Sequence, residues 1–290
     1  MANILAIGIA TLDIINLVDD YPAEDSEVRV LSQYQTRGGN ATNTLTILSQ
    51  FDHACHWGGV LIDEPDTQVI VDDLAQSHIN TNACVRLRQG KMPTSYITVN
   101  QQTGSRSIVH HRDCPEFDFA DFKTIDLTEF DWVHFEGRNI DQTLLMLQHI
   151  KSHHPDLACS LEVEKPRANI ESLFEYASVL LFSQHYAQHH GFSSSEGLLK
   201  SLPANTTATC TWGKDGADGM TDDGQLIHCE AFSPSLIVDT LGAGDCFNAA
   251  IIHSLINHKD LISALTFACQ LAGKKCGQQG FDHLISPFEH

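Results

Sequence analysis

Short apolar runs of strand length recur along this chain, separated by segments of helical periodicity, and that alternation constrains the fold more than any other feature of the sequence. Runs at residues 3–9, 56–61, 132–135, 158–163, 179–182 and 207–212 read as strands, while residues 41–50, 66–77, 141–151, 170–177, 243–256 and 261–276 read as helices. Strands joined through helices make parallel pairs, because the crossover returns the chain to the same end of the sheet, and the helices then cover both faces. The expected fold is α/β, a three-layer α/β/α sandwich. Residues 28–36 and 94–112 break the alternation with period-2 patterning, as in Ser95-Tyr96-Ile97-Thr98-Val99. They are expected to form a small antiparallel sheet projecting from the main body. Ser193-Ser194-Ser195 before Glu196 reads as a helix N-cap region.

Charge narrows the partners. Seventeen Lys and Arg against 37 Asp and Glu leave a formal net charge of -20, which repels a phosphate backbone and argues against nucleic acid. No stretch reaches the roughly 18 apolar residues of a membrane span, and the N-terminus lacks the basic region of a signal peptide, so a cytoplasmic protein without a membrane partner is expected. Nine cysteines without a C-x-x-C pair fit reduced interior thiols better than a disulfide framework or zinc site.

The strongest local signal is Asp239-Thr240-Leu241-Gly242-Ala243-Gly244-Asp245, running into an apolar helix. Its glycines allow a turn that aims several N–H groups at one point, and the helix adds the positive end of its dipole, so the segment reads as an anion hole. Asp245 at that helix start is placed to accept a proton from a hydroxyl attacking a phosphoryl group. Taken alone, a plain glycine turn accounts for the same pattern. There is no G-x-x-x-x-G-K-[ST], and Phe247 stands where a dinucleotide fingerprint needs a small residue, so neither a P-loop nor a typical Rossmann dehydrogenase is supported. A second cluster, Arg37-Gly38-Gly39-Asn40-Ala41-Thr42-Asn43, opens the first long helix. Asn40 and Asn43 would face one side of its first turn, where their amides could bridge polyol hydroxyls, although Asn40 could equally be only an N-cap. Asp13, placed just past the first strand at the carboxyl side of the sheet, completes a hydroxyl-rich set.

Together these two motifs resemble the signature pair of the ribokinase-like (PfkB) carbohydrate kinases, in order and separation, over nearly the whole chain. Within that family the likeness is greatest to the fructose kinases of ketohexokinase type, through residues 21–27, 132–139, 162–167 and 272–277. The resemblance implies a single kinase domain, residues 1–290, that transfers the γ-phosphoryl group of ATP to a sugar, D-fructose at O1 before others. A kinase for ribose, a ketogluconate or a nucleoside, or a non-catalytic sugar- or nucleotide-binding protein, would share the fold. By resemblance, Asp245 is the general base, and Gly242, Ala243 and Gly244 supply the anion hole. Asp13, Gly39, Asn40, Asn43 and Arg106 contact the sugar, and Asp25 reaches a partner's sugar site in a homodimer built on the projecting sheets. Trp212, Gly216, Phe232, Phe247 and Cys269 belong to the adenine side. Mg²⁺ accompanies ATP, and a potassium-type site near Asp239 is a family feature. Thr42, Cys246 and Lys214 depart from the familiar pattern.

Overall fold

In a computed structural model that describes residues 1–285, the chain runs β1 (Asn3–Ile7), β2 (Thr11–Val18), β3 (Ser32–Gly38), α1 (Asn40–Ser49), β4 (Ala54–Gly58), β5 (Val60–Ile62), α2 (Pro65–Gln76), β6 (Val85–Leu87), β7 (Lys91–Asn100) and β8 (Arg106–Asp113). It continues through α3 (Phe119–Phe122), β9 (Trp132–Glu136), α4 (Ile140–His153), β10 (Ala158–Val163), β11 (Val179–Phe182), α5 (Gln184–His189), α6 (Ser195–Leu199) and β12 (Ala208–Thr211). Last come β13 (Ala217–Met220), β14 (Leu226–Cys229), α7 (Ala243–Ile256) and α8 (Leu261–Cys276). The final five residues of the expected 1–290 domain lie outside the described residues.

The main sheet has eight strands in the order β14-β13-β12-β11-β10-β9-β1-β4, parallel from β12 to β4 and closed at one edge by the antiparallel β13 and β14. Its central strands are buried throughout: Ile4, Leu5, Ala6, Val133, Phe135 and Leu161 are fully shielded, as strands covered by helices on both faces must be. On one side α1, α7 and α8 pack together, and α7 is apolar nearly all round, with Cys246 through Ile252 buried. Among the described residues no helix is long and apolar enough to cross a membrane.

Several boundaries differ from the sequence reading, each for a local reason. The run at 56–61 is two strands, because the backbone of Gly59 lies against the Trp57 indole and the Gly8 carbonyl and the chain turns there to pair β5 with β6. Residues 170–177, expected as an α-helix, form a 3₁₀ segment (Ile170–Tyr176) whose buried residues Ile170 and Leu173 are three apart, the spacing of a three-residue turn. The projecting sheet is four-stranded and mixed rather than purely antiparallel. Its order is β3-β2-β7-β8, with β2 and β7 parallel and the two outer pairs antiparallel. One of its two inner strands, β2, follows β1 after only three residues and lies outside the strand expected at 3–9, and the strand expected at 28–36 begins at Ser32 instead.

Leu5 in β1 is fully shielded between β4 and β9. Leu5→Ala is therefore expected to cost about 2–5 kcal/mol, read as a lower denaturation midpoint with an unchanged denaturant slope.

Candidate active site

A cleft of about 720 Å³ opens where the carboxyl ends of the main-sheet strands face the projecting sheet. Main-sheet and helical residues Asn40, Asn43, Glu162, Glu164, Gly242, Gly244 and Asp245 form its floor, and the projecting sheet adds Asp13, Ile15, Tyr34 and Arg106. Asp13 lies past β1, as expected, but within a strand of the projecting sheet. It is the third residue of β2, opposite Thr36 of β3 and Ser95 of β7. Strand alternation then puts Asp13, Ile15, Tyr34 and Arg106 on the one face that meets the cleft.

Two glycines make the junction between the sheets. Gly39 has φ +110°, and a Cβ on it would lie 2.1 Å from the Ile9 carbonyl oxygen. A Cβ on Gly38 would meet the Asp13 carboxylate. Close passage of the chain here leaves room only for hydrogen, and α1 begins at once with Asn40 as its first residue and Gly39, not Asn40, in the N-cap position. Both asparagine amides turn into the cleft. Asn40 Nδ2 donates to Glu162 Oε1 and Glu164 Oε2, each at 3.0 Å, and Asn43 Nδ2 donates to Asp245 Oδ2 at 2.8 Å. Arg37, which the sequence reading passed over, fixes this pattern. Its guanidinium donates to Asn43 Oδ1 at 2.8 Å, to Thr42 and Thr46, and pairs with Asp73 of α2 at 2.5 Å. With its oxygen held by Arg37, the Asn43 amide can offer only its nitrogen to Asp245.

Residues 239–245 form the turn into α7. Gly242 is left-handed (φ 78°) in the N-cap position, and the Phe281 ring lies against it so closely that a Cβ would sit 2.3 Å from Cζ. A Cβ on Gly244 would meet nothing, so that residue's backbone is open to the cleft. First-turn amides have no carbonyl partner inside their own helix, and here the α7 dipole adds to them. The arrangement can hold an anion. Asp239 begins the turn with both carboxylate oxygens engaged: Oδ1 accepts from the Leu241 amide at 2.9 Å and Oδ2 from the Lys275 ammonium at 2.8 Å.

Three carboxyl groups, Glu162, Glu164 and Asp245, line the floor, and Glu136 stands close enough to act on them by charge. Burial first, and then the neighbouring carboxylates Glu164 and Glu136, push Asp245 up to about 7, against the lowering effect of the Asn43 hydrogen bond and Arg37. Burial and the charge of Asp245 raise Glu162 well above the ordinary carboxylate range, and its Oε2 is buried without a partner. Asn248 of α7 donates to the other oxygen of Glu162 at 3.3 Å. Glu162 and Asn248 carried no separate signal as site residues, since each lies inside a strand or helix pattern; Glu164 pairs with Lys165 at 3.4 Å.

The remaining expected residues lie apart from this floor. Trp212, Gly216, Phe232 and Cys269 cluster at the β12–β14 edge against α8: the Cys269 thiol reaches the Cys229 carbonyl at 3.8 Å, and Gly216 and Gly273 pass close to the backbones of Cys229 and Phe232. None of the four lines the cleft, although Thr211, next to Trp212, does. Phe247 is buried in the core, and Ala243 lies in the turn without lining the cleft. Asp25 (φ 58°) sits in an exposed segment away from the cleft of its own chain.

The raised pKa of Asp245 is also a statement about stability. The folded state holds its proton up to about pH 7, whereas an unfolded chain releases it near 3.8, so stability falls as pH rises between those values and levels off above. Asp245→Asn, which carries no charge, is expected to exceed wild type in thermal midpoint at pH 8, with the difference shrinking toward pH 4.

The model of the pfkB family carbohydrate kinases matches residues 1–287. A mouse ketohexokinase is 41% identical over 98% of this chain and 99% of its own, and an ATP-dependent ribose-1-phosphate kinase of Halopiger xanaduensis is 22% identical over 97% and 94%. Among solved structures, a putative ribokinase from Agrobacterium tumefaciens superposes with a TM-score of 0.84 at 21% identity, covering 96% of this chain and 92% of that one. Arabidopsis thaliana ribokinase, solved with ribose and ATP, gives 0.81 at 16% identity, covering 96% and 94%. A full-length family match, a relative at this identity and a shared ribokinase-like architecture agree with the paired glycine motifs on either side of one cleft, and the chain belongs to the pfkB family of carbohydrate kinases.

Proposed function

We propose that this chain is an ATP-dependent ketohexokinase, transferring the γ-phosphoryl group to O1 of D-fructose. The observation that carries the reading is the Asp245 carboxylate: it is buried at the start of α7, held by Asn43, flanked by the turn amides, and opens on the same cleft as Asp13 and Asn40. Likeness to a mouse ketohexokinase supports a ketohexose as the acceptor, and fructose is proposed among them. In this reading Asp13, Gly39, Asn40, Asn43 and Arg106 hold the sugar. Asp245 accepts the proton of the attacking hydroxyl, and the amides of Gly242, Ala243 and Gly244 receive the negative charge of the moving phosphoryl group. Trp212, Gly216, Phe232 and Cys269 flank the adenine, with Phe247 beneath in the core.

Mg²⁺ fits the floor, because the partnerless Glu162 Oε2 and the cleft-lining Glu164 are hard oxygen donors where negative charge is already crowded. When bound it neutralises charge between the phosphates. Potassium at Asp239 does not fit, since both carboxylate oxygens there are engaged.

Release of ADP over a panel of ketoses, aldoses, sugar acids and nucleosides tests the reading, with D-fructose expected to give the highest kcat/KM and no turnover on any of them overturning it. Asp245→Asn is expected to lose roughly 10²- to 10⁴-fold in kcat while binding sugar as before, and the wild-type rate to rise as pH climbs through the region near 7, where Asp245 gives up its proton.

A cytoplasmic homodimer belongs to the same reading. Tyr34 and Ile108 on the cleft face of the projecting sheet, and Tyr96 and Val109 on the other, are 43–70% exposed, more apolar surface than a small sheet leaves open without a partner. Two-fold packing of these sheets would carry Asp25 toward the partner's sugar site. Light scattering is expected to give a dimer mass, and exchanged mixtures of Asp25→Ala with Asp245→Asn to recover activity; a monomer, or no recovery, removes the shared site.

A further inference from the structure

Lys275 is among the largest fully buried side chains, with no exposed surface, a costly place for an ammonium unless every proton is met. Here all three are. Nζ donates to Asp239 Oδ2 at 2.8 Å, to the Asp239 carbonyl oxygen at 3.0 Å and to the Gln278 carbonyl oxygen at 3.4 Å, and it lies 5.6 Å from the centre of the Phe281 ring. One carboxylate, two carbonyls and an aromatic face around a single positive charge form a cation cage, and the cation is part of the chain.

What the cage touches is the anion turn. Asp239 is its first residue; the amides of Val238 and Asp239 bond the Cys276 carbonyl at 2.8 and 3.3 Å, and the freed Asp239 Oδ1 takes the Leu241 amide. Phe281 presses on Gly242 from the other side, and its carbonyl is tied to Gln50, just past the end of α1, at 2.8 Å. Thus the turn is clamped at its start and at its left-handed glycine, with Lys275 joining the two clamps. We propose that Lys275 is a positioning residue for phosphoryl transfer: its ammonium takes the part of a bound monovalent cation, fixing Asp239 and so the direction of the turn amides that face the phosphate. The inference rests on the kinase reading above. Misplacing such amides by about 1 Å costs on the order of 10²-fold in rate.

The test is Lys275→Met in the full-length protein, assayed beside wild type in matched salts of sodium, potassium, ammonium and methylammonium. kcat is expected to fall roughly 10²-fold with the sugar KM little changed, to be partly restored by potassium or the small ammonium ions at concentrations that do not raise wild type by the same factor, and ADP binding measured by calorimetry to weaken while fructose binding holds. Adding Asp239→Asn should abolish the rescue. Should Lys275→Met alone fail to fold, the double variant strands no buried charge and carries the test: folded and slow supports the role, folded with wild-type kcat overturns it. Wild-type kcat in Lys275→Met, or a loss that tracks the unfolded fraction and no cation relieves, also overturns it. Absence of any wild-type turnover, by contrast, would strike the kinase reading and leave the ADP-binding comparison to decide the role of Lys275.

Discussion

The guanidinium of Arg37, only 5% exposed, is the contact on which the geometry of the cleft depends. It stands near the end of β3 in the projecting sheet, yet its partners lie on α1 and α2, where Asp73, Thr42, Asn43 and Thr46 take its donors. Hydrogen bonds to a charged, buried donor are among the stronger ones available, and losing any single partner leaves the others to carry an unbalanced charge. The consequence is directional. Because Asn43 gives its oxygen to Arg37, it can only donate to Asp245, so the orientation of the α7 carboxylate is set from a strand in the other sheet.

That directional bond works against strong electrostatic pressure. Asp245 shares the floor with Glu162 and Glu164 and feels the charge of Glu136, and the whole chain carries a net charge of -20. A triphosphate approaching such a protein meets repulsion nearly everywhere, and the turn amides, Arg106 and the buried Lys275 are where the sign reverses. Burial first, and then the neighbouring carboxylates, keep Asp245 protonated to a higher pH than an isolated carboxyl, which brings a proton acceptor's pKa near neutrality without any dedicated acid beside it. Hydrogen bonds from Asn40 and Asn248 divide the load by stabilising one oxygen of Glu162, while the other is buried without a partner.

How much of this the sequence disclosed follows from which signals are local. Strands 158–163 and 179–182 and helices 243–256 and 261–276 were read at their observed bounds, because periodicity and caps are properties of neighbouring residues. The two glycine clusters were equally legible, since their backbone demands show in residue type. Arg37, Glu162, Asn248 and Lys275 as parts of one site were not: each sits in an unremarkable strand or helix, and its meaning comes from partners as far as 122 positions away, as in the Asn40–Glu162 bond. Strand β2 was lost for a different reason, that a three-residue connection between two sheets leaves no turn signature long enough to separate the runs.

Division of the cleft between two sheets also separates its duties. Asp13 and Arg106 ride on the projecting sheet, Asp245 and the anion turn on α7, and the joint is Gly38-Gly39, where no side chain fits. A rigid joint of this kind allows the projecting sheet to change in sequence and length while the turn stays fixed by α1, α8 and the Phe281 contact. In the proposed reading the projecting sheet supplies Asp13 and Arg106 to the acceptor side and α7 handles the phosphoryl group, and Asn43, bonded to both Arg37 and Asp245, links the two. In that reading, substitutions on the sheet face that carries Asp13, Ile15 and Tyr34 would alter which sugar is held without moving the carboxylate that accepts its proton.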